Sequence, residues 1–219
     1  MIQLFEMLHS PYCIPIALIL RNCGQDYESI DVPNWDRSKV IEMTKGNYYQ
    51  VPVLVHGEKV VYEESNCSLN VARYVDNTFC GGRLFPDQIS GSHEVLVDYI
   101  EDQLEALSFK LADIVYIDSI RNLSNRIHVL RHKERRFGVA CVDQWKVDQD
   151  SLRSEFLREL DRFKGTLVQN VFLYGDQPVY ADYALYGVLG NYGYFAQNRL
   201  SDEQGWLCAW KERLIDTRV

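Results

Sequence analysis

The sequence predicts a small α/β domain followed by a larger, all-helical one. Over residues 1–80 the hydrophobic pattern switches between strand and helix spacing in the order β-α-β-α-β-β-α. Over residues 91–219 long helical periodicities dominate. Between them lies CGGRLFPDQISGS, whose Gly, Pro and Ser content marks a boundary, so residues 81–90 are the expected linker. A length of 219 residues, 47% of them apolar, is enough for a sizeable core.

Each element follows from its local pattern. IQLFEM is strand-like, with Ile2, Leu4 and Phe5 apolar, and residues 11–23 form an apolar helical run stopped by Gly24. YESIDV predicts a second strand, and residues 36–44 a short helix. VPVLVHGEKVVYEE gives two strands around a tight turn at His56-Gly57. Residues 69–76 have helical spacing, with Leu69, Ala72 and Val75 on one side. The first crossover implies parallel neighbours and the closing hairpin an antiparallel pair. In the second domain, helices are expected over residues 93–116, around 127–136, and over 149–168, 181–196 and 202–215, with no internal repeat.

Composition excludes several classes of function. The chain carries 31 Asp and Glu against 23 Lys and Arg, so it lacks the basic field of a general nucleic-acid binder. The run RHKERR over residues 131–136 is expected to be a solvated helical face rather than an anion site. The six cysteines are scattered without a C-x-x-C pair, and the five histidines show no metal spacing, so no metal is expected. No apolar run reaches the roughly 20 residues that cross a bilayer, and the amino terminus lacks a signal-peptide pattern. Six free thiols in a reduced cytoplasmic compartment, away from membranes, are expected.

Chemistry concentrates in Ser10-Pro11-Tyr12-Cys13, at the first strand-to-helix turn. A helix amino terminus has unpaired N–H groups and a positive dipole end, and so favours an anion. Ser10 either caps the helix or donates a hydrogen bond to that anion. Cys13, one turn on, is either a small buried apolar residue or a reactive thiol. Pro15 is tolerable only if the helix begins late.

Three features, in this order and at these separations, resemble the cytosolic glutathione transferase superfamily over nearly the whole chain. They are Ser10-Pro11-Tyr12-Cys13, Val51-Pro52 before the third strand, and WLCAWKERL, which is similar to the family's W-x-x-R-L ending at Trp210, Arg213 and Leu214. The resemblance implies a thioredoxin-like first domain, a helical second domain lining the second-substrate side, a two-fold homodimer, and glutathione as co-substrate. Thioredoxin-fold proteins that attack through their own sulfur carry it where this chain has Ser10. The resemblance therefore implies a serine-type enzyme in which Ser10 faces the glutathione thiolate, with Cys13 the alternative and Tyr12 among the glutathione-binding residues.

The same resemblance implies a cis Val51-Pro52 bond, with the Val51 backbone pairing with glutathione like an added strand. Glu64-Ser65 is the literal match to the family's Glu-Ser pair, which holds the γ-glutamyl carboxylate at the start of the third helix. Spacing to Val71 and Tyr74 favours Ser68 instead, with Cys67 in place of the usual acid. Val179-Tyr180-Ala181-Asp182 is similar to the family's S-x-x-D capping box, lacking the hydroxyl half. Phe109 and Tyr116 are the expected second-substrate contacts. The implied function is addition of the glutathione thiolate to a small apolar electrophile. Thiol-disulfide exchange through Cys13, or a non-enzymatic interaction module, are the alternatives.

Overall fold

The structure is a computed structural model that describes residues 1–64 and 69–219. Strands β1 (Ile2–Glu6), β2 (Tyr27–Asp31), β3 (Val53–His56) and β4 (Lys59–Val61) form one sheet in the order β2-β1-β3-β4. β1 and β2 run parallel, and β1–β3 and β3–β4 are antiparallel, as the crossover and the hairpin require. Period-two alternation sorts the strand residues between two cores. Ile2, Leu4 and Leu54 join the large core shared with the helical part, while Phe5, Val53 and Val55 join a smaller one on the opposite face.

Helices α1 (Cys13–Asn22), α2 (Ser38–Met43) and α3 (Asn70–Val75) accompany the sheet. α1 ends before Gly24, whose φ of 68° is the left-handed geometry expected of the stop. It also begins late: Pro15 is its third residue, where an N–H would have no intrahelical partner.

The second part contains α4 (Ser90–Asp98), α5 (Glu105–Ser119), α6 (Leu123–Phe137), α7 (Cys141–Val147), α8 (Gln149–Asp161), α9 (Lys164–Gln169), α10 (Tyr180–Tyr192) and α11 (Gly205–Asp216). α4 and α5 are joined by a π-helical stretch, Tyr99–Leu104, so the run expected over 93–116 is wider and not uniformly α. The run expected over 149–168 breaks after Asp161 into α8 and α9. α7, about two turns long, has too few apolar repeats for its periodicity to stand out. α10 is buried along most of its length and packs on α1 and α5.

Asp182 ties the end of the chain to α10. Its fully buried carboxylate accepts from Val179 N–H (3.1 Å), Leu173 N–H (3.0 Å) and Trp210 Nε1–H (3.1 Å). Val179 offers no side-chain acceptor, so only the Asp half of the cap exists. Burial nevertheless holds this carboxyl up at about 6.

The expectation of six free thiols is corrected at one pair: Cys23 and Cys80 form a disulfide, with Cα atoms 6.1 Å apart. They are 57 positions apart and meet because the end of α1 packs beside the π-helical turn, Asp76–Cys80, that follows α3. Local spacing cannot reveal such a pairing. Cys13 and Cys141 are free and buried, and Cys208 is free and exposed.

Candidate active site

The turn after β1 is built around Ser10. Its N–H donates to Met7 C=O (2.9 Å), and its own C=O accepts from the N–H groups of Cys13 and Ile14 (both 3.1 Å). Its Oγ accepts weakly from Tyr12 N–H at 3.3 Å. That contact occupies one lone pair and does not use the hydroxyl proton, for which the neighbouring Cys13 sulfur is the competing acceptor. The side chain is buried yet lines a cavity between the two halves of the molecule.

α10 holds this turn in place. Asn191 Nδ2 donates to His9 C=O at 2.7 Å, and Asn191 Oδ1 accepts from Ser108 Oγ of α5 at 3.2 Å. Gly187 lets the helix approach: a Cβ there would lie 2.2 Å from the Pro11 carbonyl oxygen. The helical part therefore sets the position of Ser10.

Cys13 has no exposed surface and packs among Phe5, Val32, Val40 and Val53. Burial pushes its thiol up to about 12, outweighing the hydrogen bonds from Ser10 and Met7 that favour the thiolate.

Two cavities meet at this turn. The larger, of about 980 Å³, has Val51, Pro52 and Tyr12 in its wall. The Val51-Pro52 bond is cis, and neither the N–H nor the C=O of Val51 has a hydrogen-bond partner among the described residues. Glu63, Glu64, Asp98, Glu101 and Asp102 also line it, and no Lys, Arg or His does so among the described residues. The π-helical stretch supplies Glu101 and Asp102. Glu101 accepts from Tyr180 OH at 3.2 Å, and burial raises its carboxyl to about 8. Tyr12 OH reaches the Glu101 carbonyl only at 3.5 Å.

The beginning of α3 is where the resemblance puts a substrate carboxylate. There Glu63 accepts from Asn70 N–H (2.6 Å) and Val71 N–H (3.2 Å). Burial raises the Glu63 carboxyl to about 7 despite these bonds. Ser65, Cys67 and Ser68 lie outside the described residues, and Glu64 is exposed on the cavity wall.

The smaller cavity, of about 540 Å³, contains Ser10 and Phe109. Phe109 belongs to an aromatic group with Phe137 (5.2 Å between centroids) and Trp145 (5.5 Å). Tyr116 stands behind this wall, its ring 4.3 Å from that of His9, rather than on the cavity surface. Arg37, His132, Lys133 and Arg136 line the same cavity, as do Glu105 and Asp113. Lys133 pairs with Asp113, and burial raises the Glu105 carboxyl to about 7. The run RHKERR is thus only partly a solvated face. Arg131 and Arg135 point outward, while His132, Lys133 and Arg136, at i, i+1 and i+4, face the cavity.

Sequence reasoning missed Gln50, which lines both cavities, along with Arg37, Glu63, Glu101 and the cavity-facing cations of α6. The helical phase of residues 131–136 carried a signal for the last group, because it separates two faces of that run. Arg37 and Glu101 carried none, since tertiary packing alone brings them to the cleft.

A four-stranded sheet with a cis-proline loop and a serine at the first strand-to-helix turn, covered by a helical domain, defines a thioredoxin-like fold with a helical partner. Family models for the glutathione S-transferase amino-terminal domain and carboxy-terminal domain match residues 4–81 and 126–217. The chain belongs to the glutathione S-transferase family. A probable glutathione S-transferase from Nicotiana tabacum is 28% identical over 85 residues, which is 39% of this chain and 36% of that protein. The chain thus aligns with only about a third of that relative's length. Solved structures share the fold over almost the whole chain. A glutathione S-transferase from Rhodospirillum rubrum has a TM-score of 0.68 at 17% identity, covering 96% of this chain and 86% of that one. A theta class enzyme from Xanthomonas axonopodis, with glutathione bound, has a TM-score of 0.63 at 17% identity, covering 97% and 91%.

Proposed function

We propose that this chain is a serine-type glutathione transferase that adds the glutathione thiolate to a small electrophile with an apolar body. The observation that carries this reading is Ser10. Its hydroxyl lies at the start of α1, opens into a cavity, and has a proton to donate. The unpaired Val51 peptide beside it offers the backbone edge that a cysteinyl residue needs.

The free thiol of glutathione titrates near 8.5. A hydrogen bond from Ser10 to its thiolate contributes about 1.5–3 kcal/mol, and the helix amino terminus acts in the same direction. The thiolate then attacks the electrophilic carbon: a C–S bond forms, and the leaving group departs with its electron pair. The thiol proton has already gone to solvent, so the step requires no general base. Phe109 packs against the body of the electrophile, and Tyr116 supports the wall through His9. No metal enters this chemistry.

The γ-glutamyl end of glutathione lies in the acidic cavity, its ammonium toward Glu64 and Glu101. Its carboxylate either displaces Glu63 from α3 or is held by Ser65, Cys67 or Ser68. A homodimer and a cytoplasmic location belong to the same reading. In the cytoplasm the Cys23–Cys80 pair would be held reduced, so trapping thiols in intact cells tests the location. Exchange chemistry through Cys13 is disfavoured, because its thiol is wholly buried and held protonated.

Calorimetric titration with glutathione, paired with conjugation of a generic aryl halide, tests the proposal. Saturable binding and enzyme-dependent conjugation are expected, with Ser10→Ala slowing conjugation at neutral pH about ten- to a hundredfold. Absence of binding would leave the fold as an interaction module.

A further inference from the structure

The smaller cavity carries charge that a purely apolar second substrate would not use. Arg37, just before α2, enters it from the α/β side. Its Nη2 donates to Asn34 Oδ1 at 2.9 Å, but its Nη1 is buried without a hydrogen-bond partner among the described residues. No carboxylate among the described residues forms an ion pair with it. Arg136 enters from α6 on the helical side and also lacks a carboxylate partner among those residues. Its guanidinium carbon lies 5.1 Å from the Phe137 ring. Lys133 is paired with Asp113, and Glu105, His9, His128 and His132 are the other titratable acid and imidazole groups on the same wall. Buried donors are rarely left without an acceptor, and a guanidinium fork matches a planar oxyanion.

We propose that the second substrate of this enzyme is an anionic aromatic electrophile. Its carboxylate or equivalent oxyanion lies between Arg37 and Arg136, and its ring lies against Phe109 and Phe137. This orients the ring so that the reacting carbon faces the thiolate at Ser10. The inference rests on the transferase reading for its chemistry but not for its binding. Attack forms the C–S bond at the ring carbon and expels halide with the bonding pair. The oxyanion is not consumed; it only positions the ring.

Two isosteric pairs test this. Dinitrobenzoate and dinitrobenzamide are unreactive, and their binding is measured by calorimetry. Chlorodinitrobenzoate and chlorodinitrobenzamide accept glutathione, and their kcat/KM values are compared after division by the uncatalysed rates. The benzoate is expected to bind about tenfold more tightly than the amide, a preference that falls as salt rises. Arg136→Gln and Arg37→Gln should each reduce that preference about five- to tenfold, whereas Arg135→Gln, on the outer face of α6, leaves it intact. If Arg37→Gln disturbs folding, the Arg136→Gln ratio alone decides. Equal binding of acid and amide, or a preference that survives both substitutions, overturns the proposal. So does an Arg37→Gln effect confined to the KM for glutathione. A binding preference without conjugation of either chloro compound would retain the anion site and reject the transferase reading. Conjugation of both compounds in their uncatalysed ratio, without a binding preference, would do the reverse.

Discussion

Glu63 is the residue whose role departs furthest from its place in the sequence. Its carboxylate takes the first two N–H groups of α3, which the family resemblance reserves for the substrate. It therefore caps α3, and under the proposed function it competes with the substrate carboxylate for those groups. Glu63→Ala is expected to lower stability by about 1–2 kcal/mol through loss of the cap. The same change should strengthen glutathione binding severalfold, by freeing those donors and removing a negative charge from the cavity. Thermal denaturation and calorimetry on one variant check both, and weaker binding would mean that Glu63 helps hold the substrate. At this scale the sequence placed Ser10 at the first strand-to-helix turn, because the switch from strand to helix spacing is local. It offered Glu64-Ser65 and Ser68 for one role and favoured Ser68 by its spacing to Val71 and Tyr74, but it gave Glu63 no part, because only packing brings that carboxylate to the start of α3. It was silent on Arg37, whose importance arises from packing alone.

The pairing of α1 with α10 fixes the turn that carries Ser10. Gly187 and Gly190 face α1, but a Cβ at each would meet different neighbours. At Gly187 it would press on the Pro11 carbonyl at 2.2 Å and the Pro15 ring at 2.6 Å; at Gly190 it would meet the tip of Ile14 at 2.9 Å. Backbone and a proline ring yield far less readily than a flexible side-chain end. Gly187→Ala is therefore expected to cost about 1–3 kcal/mol and to reduce conjugation more than stability alone explains, because Pro11 and Ser10 move together. Gly190→Ala should cost less and leave activity near the parent level. Denaturant titration and kcat/KM on both variants make the comparison, and equal effects would show that α10 does not position the turn. Most elements were legible because their apolar spacing is long and regular. α7 was not, being short, and the π-helical stretch was not, because it preserves an almost continuous apolar stripe.

At the scale of the molecule, charge is sorted between the two cavities in a way that a net charge of −8 conceals. Burial raises Asp182 to about 6, Glu63 and Glu105 to about 7, and Glu101 to about 8. Each has a folded-state pKa above its unfolded value. The stability it contributes is therefore full below the unfolded value and is lost as pH rises through 6–8. Half-buried His9 and buried His93 have lowered pKa values, so they act in the opposite sense below about 6.5. His93 has a direct reason to stay neutral, since its Nε2 accepts from Ala181 N–H at 3.0 Å. Melting temperature is expected to fall from about pH 6.5 to about pH 8 and to level off above, and a flat profile between those two values would argue against these buried acids. The Cys23–Cys80 bridge belongs to this scale as well: peptide mapping after alkylation without reductant should find both residues protected and Cys13, Cys141 and Cys208 modified. It was invisible in the sequence because only the finished packing brings its two ends together.

Under the proposed mechanism Ser10, and not Cys13, stabilises the sulfur anion of bound glutathione. Ultraviolet absorbance of the thiolate, followed against pH in the glutathione complex, measures this without an electrophile. The parent should show a midpoint well below 8.5, with Ser10→Ala moving it up by about 1–2 and Cys13→Ala leaving it in place. A midpoint unchanged in Ser10→Ala, or raised in Cys13→Ala instead, would rule out Ser10 as the group that stabilises the thiolate.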